Sequence, residues 1–280
     1  VCMTVCETEN VHPAYGELFS IFKTFIVPSD FCKHVFSRQY PKNRFYVIRH
    51  WEPVPRPCVD RLNAPKYVFY HIENIIDHRK QVNKIVSAFT ELNLPNSQLV
   101  LKATCNQPVK FKMPNVLVIN GLLDNDQMDR IHDMCDCYVS FSHSEGVGMG
   151  AVEAALRDKP VIISEYGGAK EYVRSEYTIP CKMTTVGCND FLYTPYMLWG
   201  DPDYNILKRY MTIMYENKIR NVDHEYTRIL LEPETIRNQL SELLSGQIDP
   251  RSGFLGLANS AEKLEVLPHH QQDQSPWVLI

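Results

Sequence analysis

From residue 66 onward the sequence predicts an α/β domain built on a doubly wound parallel sheet, with a reduced α/β lobe in front of it. Two observations carry this. Short runs rich in β-branched and aromatic residues alternate with segments of helical periodicity, the pattern of a parallel sheet covered by helices on both faces. One of those runs, Cys137 to Ser142, ends in polar residues and a glycine-rich turn that opens a helix, and such sheets hold ligands at the C-terminal ends of their strands.

In chain order, KTFIVPS reads as a strand, Asp30 to Gln39 as a helix and RFYVIRHW as a second strand, after which Pro53, Pro55 and Pro57 suggest a stiff linker. Strands are then expected at Lys66 to Ile72, Gln98 to Thr104, Val116 to Asn120, Cys137 to Ser142 and Pro160 to Ser164. The clearest amphipathic helix between them places Val82, Ile85, Val86 and Phe89 on one face. Further on, Asp201 is expected to cap a helix with Pro202 at its first position and Leu207, Tyr210, Met211 and Met214 as its core stripe. Pro233 interrupts the next helical stretch and Gly246 is a stop signal. The expected division is a lobe and linker at 1–65, a main domain at 66–245 and a loop-like tail at 246–280.

Composition excludes several classes. The 280 residues carry a net charge of −4 and no Lys/Arg run, which argues against nucleic-acid binding. No stretch approaches the roughly 18 apolar residues of a spanning helix, and no signal core is seen, so the expected location is cytoplasmic. The nine cysteines are odd in number, and neither Cys2/Cys6 nor Cys135/Cys137 has the partner cluster that zinc needs, so packed thiols are expected.

The chemistry concentrates in SEGVGMGAVEAALRDKPVI. Glu145, Gly146, Gly148 and Gly150 stand where backbone can approach a ligand and a helix N-terminus offers unpaired N–H groups. In a helix from Met149 to Arg157 the apolar stripe is Met149, Val152 and Leu156, and Glu153 falls within it. A carboxylate there needs a partner, for which ribose hydroxyls and an Arg157 salt bridge both qualify. Arg79 and Lys80 follow the first long strand and precede a helix. They read either as two solvated charges or, since cations oppose the dipole of a helix start, as the seat of an anion. Asp124-Asn125-Asp126 is read as a helix cap rather than a cation site, and His143 as a structural residue. Gly167 and Gly168 make either a plain tight turn or a pair of amides facing a ligand.

Glu145 and Glu153 with their seven intervening residues, together with RKQVNKIVSAF, VLVINGLLDNDQMDRIHDMCDCYVSFS and WGDPDYNILKRYMTIMYEN, resemble family-4 glycosyltransferases over about residues 66 to 245. The resemblance implies a GT-B fold in which the main domain is the Rossmann-like donor half and residues 1–65 are what remains of the acceptor lobe. It implies a retaining hexosyl or pentosyl transferase taking a UDP-sugar or GDP-sugar to a carbohydrate acceptor, with no other cofactor and no metal. Glu145, Lys80 and Arg79 would be catalytic, with Glu145 on the sugar and the cations on the diphosphate. Donor binding would fall to Glu153, Gly146, Val147, Gly148, Met149, Asn74 and Gly168. The leaving phosphate would take the acceptor's proton on the same face. Many relatives place an Arg where this chain has Asn74. The alternative is a donor-half subunit that binds the nucleotide sugar without transfer, its acceptor side completed by a partner chain or a homo-oligomer. A NAD-dependent enzyme fits less well, because its glycine fingerprint belongs after an early strand.

Overall fold

A computed structural model describes residues 1–50, 55, 61, 64–105, 108–189 and 192–246. Its first part is a three-stranded parallel sheet, β1 (Cys2–Met3), β2 (Thr24–Val27) and β3 (Arg44–Val47), with helices α1 (Tyr15–Ile21) and α2 (Asp30–Gln39) between the strands. Ser29 caps α2 by accepting from the Cys32 amide at 3.2 Å. Pro53 and Pro57 of the expected linker lie outside the described residues, as does the tail after Gly246.

The main sheet has six strands: β4 (Tyr67–Glu73), β5 (Ser97–Ala103), β6 (Val116–Ile119), β7 (Cys137–Val139), β8 (Val161–Ser164) and β9 (Thr178–Ile179). Their order is β6-β5-β4-β7-β8-β9 and every neighbouring pair is parallel. The chain thus winds outward from β4 in one direction, then returns to start β7 on its other side. The crevice beyond the C-terminal ends of β4 and β7 is the topological switch point of such a sheet.

Between the strands run α3 (Val82–Leu92), α4 (Asn125–Met134), α5 (Met149–Ala155) and α6 (Ala169–Tyr172). After β9 come a hairpin of β10 (Cys181–Thr185) and β11 (Leu198–Pro202), then α7 (Tyr204–Glu216), α8 (Glu225–Leu230) and α9 (Pro233–Leu244). Strand alternation divides the core into two layers. Tyr67 and Phe69 pack with Ile85 and Phe89 of α3 and Leu207 and Met211 of α7, whereas Val68, Tyr70 and Ile72 pack with Val152 of α5, Tyr172 of α6 and Leu230 of α8. Ile26, Tyr46 and Ile48 of the front sheet join that second layer, so the two sheets share a continuous core. The other face of the front sheet closes over an aromatic cluster of Phe19, Phe25, Phe36 and Phe45.

Some expected boundaries move. Asp201 and Pro202 are not the start of α7. They pair with Lys182 and Cys181 in the hairpin, and Asp203 is the cap, accepting from the amides of Asn205 at 2.8 Å and Ile206 at 3.2 Å. The Asp-Pro-Asp sequence offers two caps, and strand pairing took the first. The strand after Asp136 ends at Val139 and α5 ends at Ala155, both earlier than expected. Pro233 opens α9 at its first position, and Gly246 follows that helix at φ +74°. Among the described residues, no helix is long and apolar enough to cross a membrane.

Candidate functional site

Much of what stands out around the glycine turn meets at the switch point. After β4 the chain makes a short 3-10 turn, His78–Lys80, in which the Arg79 amide donates to the Asp77 side chain at 2.9 Å. Gln81 then adopts a left-handed conformation at φ +49°, which ends the turn and starts α3. Arg79 and Lys80 are left buried at the sheet edge, 7% and 5% exposed, rather than solvated. After β7 the loop carries Glu145, 6% exposed, and Gly148, whose φ of +74° turns the chain into α5.

Cations and carboxylates interlock there. The Lys80 ammonium lies 2.7 Å and 2.9 Å from the two Glu145 oxygens and 2.8 Å from Glu73. The Arg79 guanidinium reaches Glu145 at 3.0 Å, Glu7 at 3.2 Å and Asp77 at 3.5 Å, and donates to the Ser144 carbonyl at 2.5 Å. Burial alone would push the Glu145 carboxyl up, but the two adjacent cations hold it well below the usual range. At Glu73, burial and the Glu145 charge together outweigh Lys80 and raise the carboxyl to about 7. Burial would lower both cations, and the carboxylates, Glu145 first, overcome it and raise them. This pattern of neighbouring carboxyls driven apart is common where protons move.

The cluster forms one end of a cleft of about 580 Å³ between the two sheets. Glu73, Arg79, Lys80, Glu145, Gly146, Val147, Gly148 and Met149 line its main-sheet side. Thr4, Val5, Glu7, Ile26, Arg49 and His50 face them from the front sheet. Glu7 spans the gap: its carboxylate accepts from the Gly146 amide at 3.3 Å and from the Tyr193 hydroxyl at 2.5 Å. A second bridge joins the sheets at Glu171 of α6, which accepts from the first amides of α2, Asp30 and Phe31, at 2.8 Å each, and pairs with Arg49 at 2.5 Å.

Not every expected residue is in that group. Glu153 is absent from the lining, though it lies one turn beyond Met149 on the same face of α5. Its ionisable partner is His132 of α4 at 3.6 Å, and Arg157 does not pair with its carboxylate. Arg157 has passed the end of α5, so it bonds the Glu153 carbonyl at 2.9 Å and the Asp129 carboxylate at 2.6 Å. Asn74 is exposed, with its carbonyl accepting from the Asp77 amide. Gly168 donates its amide to the Glu145 carbonyl at 2.7 Å, so it props the loop from behind. A Cβ at Gly168 would stand 2.1 Å from the Gly146 carbonyl and 2.6 Å from the Ser29 hydroxyl. Gly168→Ala is therefore expected to cost about 1 to 3 kcal/mol and to loosen the loop; an unchanged thermal midpoint would count against this packing.

Asp124 forms a capping box with Gln127, at 2.8 Å and 3.0 Å, and His143 stacks on Trp199 with ring centres 4.5 Å apart. Sequence reasoning missed Glu73, Glu7, Arg49 and His50. Glu73 could have been found as the acidic residue closing the first long strand. Glu7 meets its contact Gly146 across 139 positions of chain, and no local signal announces it.

Residues 60–182 match the family model described as glycosyl transferases group 1. Solved structures similar to the chain include sucrose-phosphate synthase from Thermosynechococcus elongatus, at 18% identity and a TM-score of 0.61 over 80% of this chain and 58% of that one. WaaG, a glycosyltransferase involved in lipopolysaccharide biosynthesis, is 13% identical with a TM-score of 0.55 over 79% and 62%. A trehalose-6-phosphate synthase from Burkholderia multivorans is 12% identical with a TM-score of 0.58 over 92% and 64%. These are GT-B glycosyltransferases, and the α/β fold of this chain is theirs. The chain covers between 58% and 64% of the length of these three. No curated protein sequence matches it.

Proposed function

We propose that the cleft binds a nucleotide-diphosphate sugar and that the protein transfers the sugar, with retention, to a carbohydrate acceptor. The observation that supports this most is the cluster at the switch point: two buried cations, a buried carboxylate and a glycine turn opening a helix, all facing one cleft. Arg79 and Lys80 suit a diphosphate leaving group, whose growing charge is the main electrostatic demand of the transition state. Glu145 suits the hydroxyls of the donor sugar. Glu153, farther along α5, suits the ribose of UDP or GDP lying beyond the diphosphate. In this reading side-chain cations neutralise the phosphates, no divalent ion takes part, and the reaction belongs to the cytoplasm.

Among the described residues the wall opposite is a three-stranded sheet, which favours one second reading, a donor-half subunit whose acceptor site is completed by a partner chain or a second copy. Calorimetry with UDP, GDP and their sugar conjugates, with and without EDTA, tests the binding step. Glu153→Gln is expected to weaken the nucleotide by about 1 to 3 kcal/mol, the range for a lost charged hydrogen bond. Unchanged affinity in a folded variant would remove the ribose role. Incubation with donor and a panel of glycans, reading the product anomer by NMR, tests transfer: inverted product refutes retention, and binding without transfer supports the donor-half reading.

A further inference from the structure

The charges of the cleft do not leave room for a diphosphate as they stand. Lys80 already faces Glu73 and Glu145, and Arg79 already faces Glu145, Glu7 and Asp77, so carboxylates outnumber cations in the cluster. A diphosphate adds about two more negative charges in a place screened from water, where like charges close together cannot all ionise. Among the described residues, other cations nearby are committed. Arg49, 7% exposed, is paired with Glu171 at 2.5 Å and Asp30 at 2.8 Å. Lys102, on the strand beside β4, is held by the carbonyls of Ala103 at 2.5 Å and Gly121 at 2.8 Å. His71, fully buried two residues before Glu73, is kept neutral by that burial, with its pKa lowered to about 4. On β7 the Tyr138 hydroxyl donates to the Ile72 carbonyl at 3.2 Å, and burial holds it neutral as well. His50 faces the group across the cleft.

We propose that Glu73 belongs to the anion-binding machinery of this cleft: as a diphosphate enters, the Glu73 carboxylate takes up one proton from solvent, and Lys80 turns its charge from Glu73 to the phosphate. The inference rests on the reading that the cleft takes a diphosphate. Glu73 is the carboxylate placed to yield. It contacts Lys80 alone among the cluster's cations, whereas Glu145 bridges both and would leave both exposed to one another if neutralised. Its carboxyl is also the one already raised, by burial and by Glu145, so the proton costs least there. The sign follows: binding is favoured as pH falls toward the Glu73 value and weakens above it.

The test is calorimetric titration of the full chain with inorganic pyrophosphate at about pH 6 and about pH 8.5, in buffers of low and high ionisation heat. Pyrophosphate titrates in this range, so the readout is the difference between wild type and Glu73→Gln. Relative to the variant, wild type is expected to take up roughly one extra proton per bound pyrophosphate at about pH 8.5 and little at about pH 6, where Glu73 is already largely protonated, and to bind about thirtyfold more weakly at the higher pH, as about one and a half units above a value of about 7 require. At the lower pH the two should agree within about twofold. Equal proton uptake and equal pH dependence would overturn the inference alone. No pyrophosphate binding by wild type at either pH would overturn it together with the nucleotide-sugar reading. The expected difference with pyrophosphate, but no binding of UDP or GDP, would sustain it and sink that reading. Should Glu73→Gln not fold, carboxyl NMR of wild type serves: Glu73 must titrate in the free protein and remain protonated with pyrophosphate bound, and a Glu73 that stays ionised in the complex overturns the inference.

Discussion

Lys80→Met is expected to abolish pyrophosphate binding and to lower stability by about 3 kcal/mol, toward the lower end of the range for breaking a buried ion pair. The Lys80 side chain is buried and is the shared partner of Glu73 and Glu145, so its removal leaves two largely buried carboxylates facing each other. Glu73 can relieve part of that by staying protonated, which is why the cost falls at the low end. The variant should therefore be most destabilised above about pH 7, where Glu73 must ionise in the unfolded chain and resists ionising in the folded one. Urea unfolding at about pH 6 and about pH 8.5 measures this. A loss below about 1 kcal/mol at both would mean that Lys80 is solvated, as the plain reading of two charges near a helix start holds. Lys80→Arg keeps the charge and separates lost charge from lost shape.

Asp136→Ala is expected to destabilise the protein by about 3 to 5 kcal/mol without touching the cleft. This carboxylate, fully buried just before β7, accepts from the Val68 amide at 2.7 Å and pairs with Arg61 at 2.9 Å and Arg220 at 2.5 Å. Arg220 is itself buried, so the substitution strands a buried guanidinium and an unpaired strand amide together. Thermal and urea unfolding check the magnitude, and calorimetry below the new midpoint should find pyrophosphate affinity within about twofold of wild type. A stability loss under about 1 kcal/mol would show that the two arginines find other partners.

Much of the main sheet and of the cluster at its switch point is legible in the sequence because its signals are local. Apolar spacing gives the helix Asp30–Gln39 its observed bounds, and it places the strand Tyr67–Glu73 one residue early at each end. Both announce themselves through the pattern of residues within a dozen positions. Glu145 and the two cations are legible for the same reason, since each stands at a strand-to-helix turn where a switch point collects ligands. The hairpin Cys181–Thr185 with Leu198–Pro202 is not, because neither arm alternates cleanly and the loop between them is long. The partner of Glu153 is also hidden. Helical spacing offers Arg157, but α5 stops before it, and His132 arrives from a helix earlier in the chain.

By itself the sequence determined the parallel sheet, its order of elements along the chain and the residue types at the switch point, because periodicity and turn chemistry act between neighbours. Only the tertiary structure decided which charges meet. Glu7 reaches Gly146 and Arg79 from near the start of the chain, and Glu73 comes to share Lys80 with Glu145, which follows only after two further helices and three further strands have been laid down. Those meetings fix the proton affinities of the cleft, since a carboxyl's charge depends on what surrounds it in space and not on what precedes it in the chain.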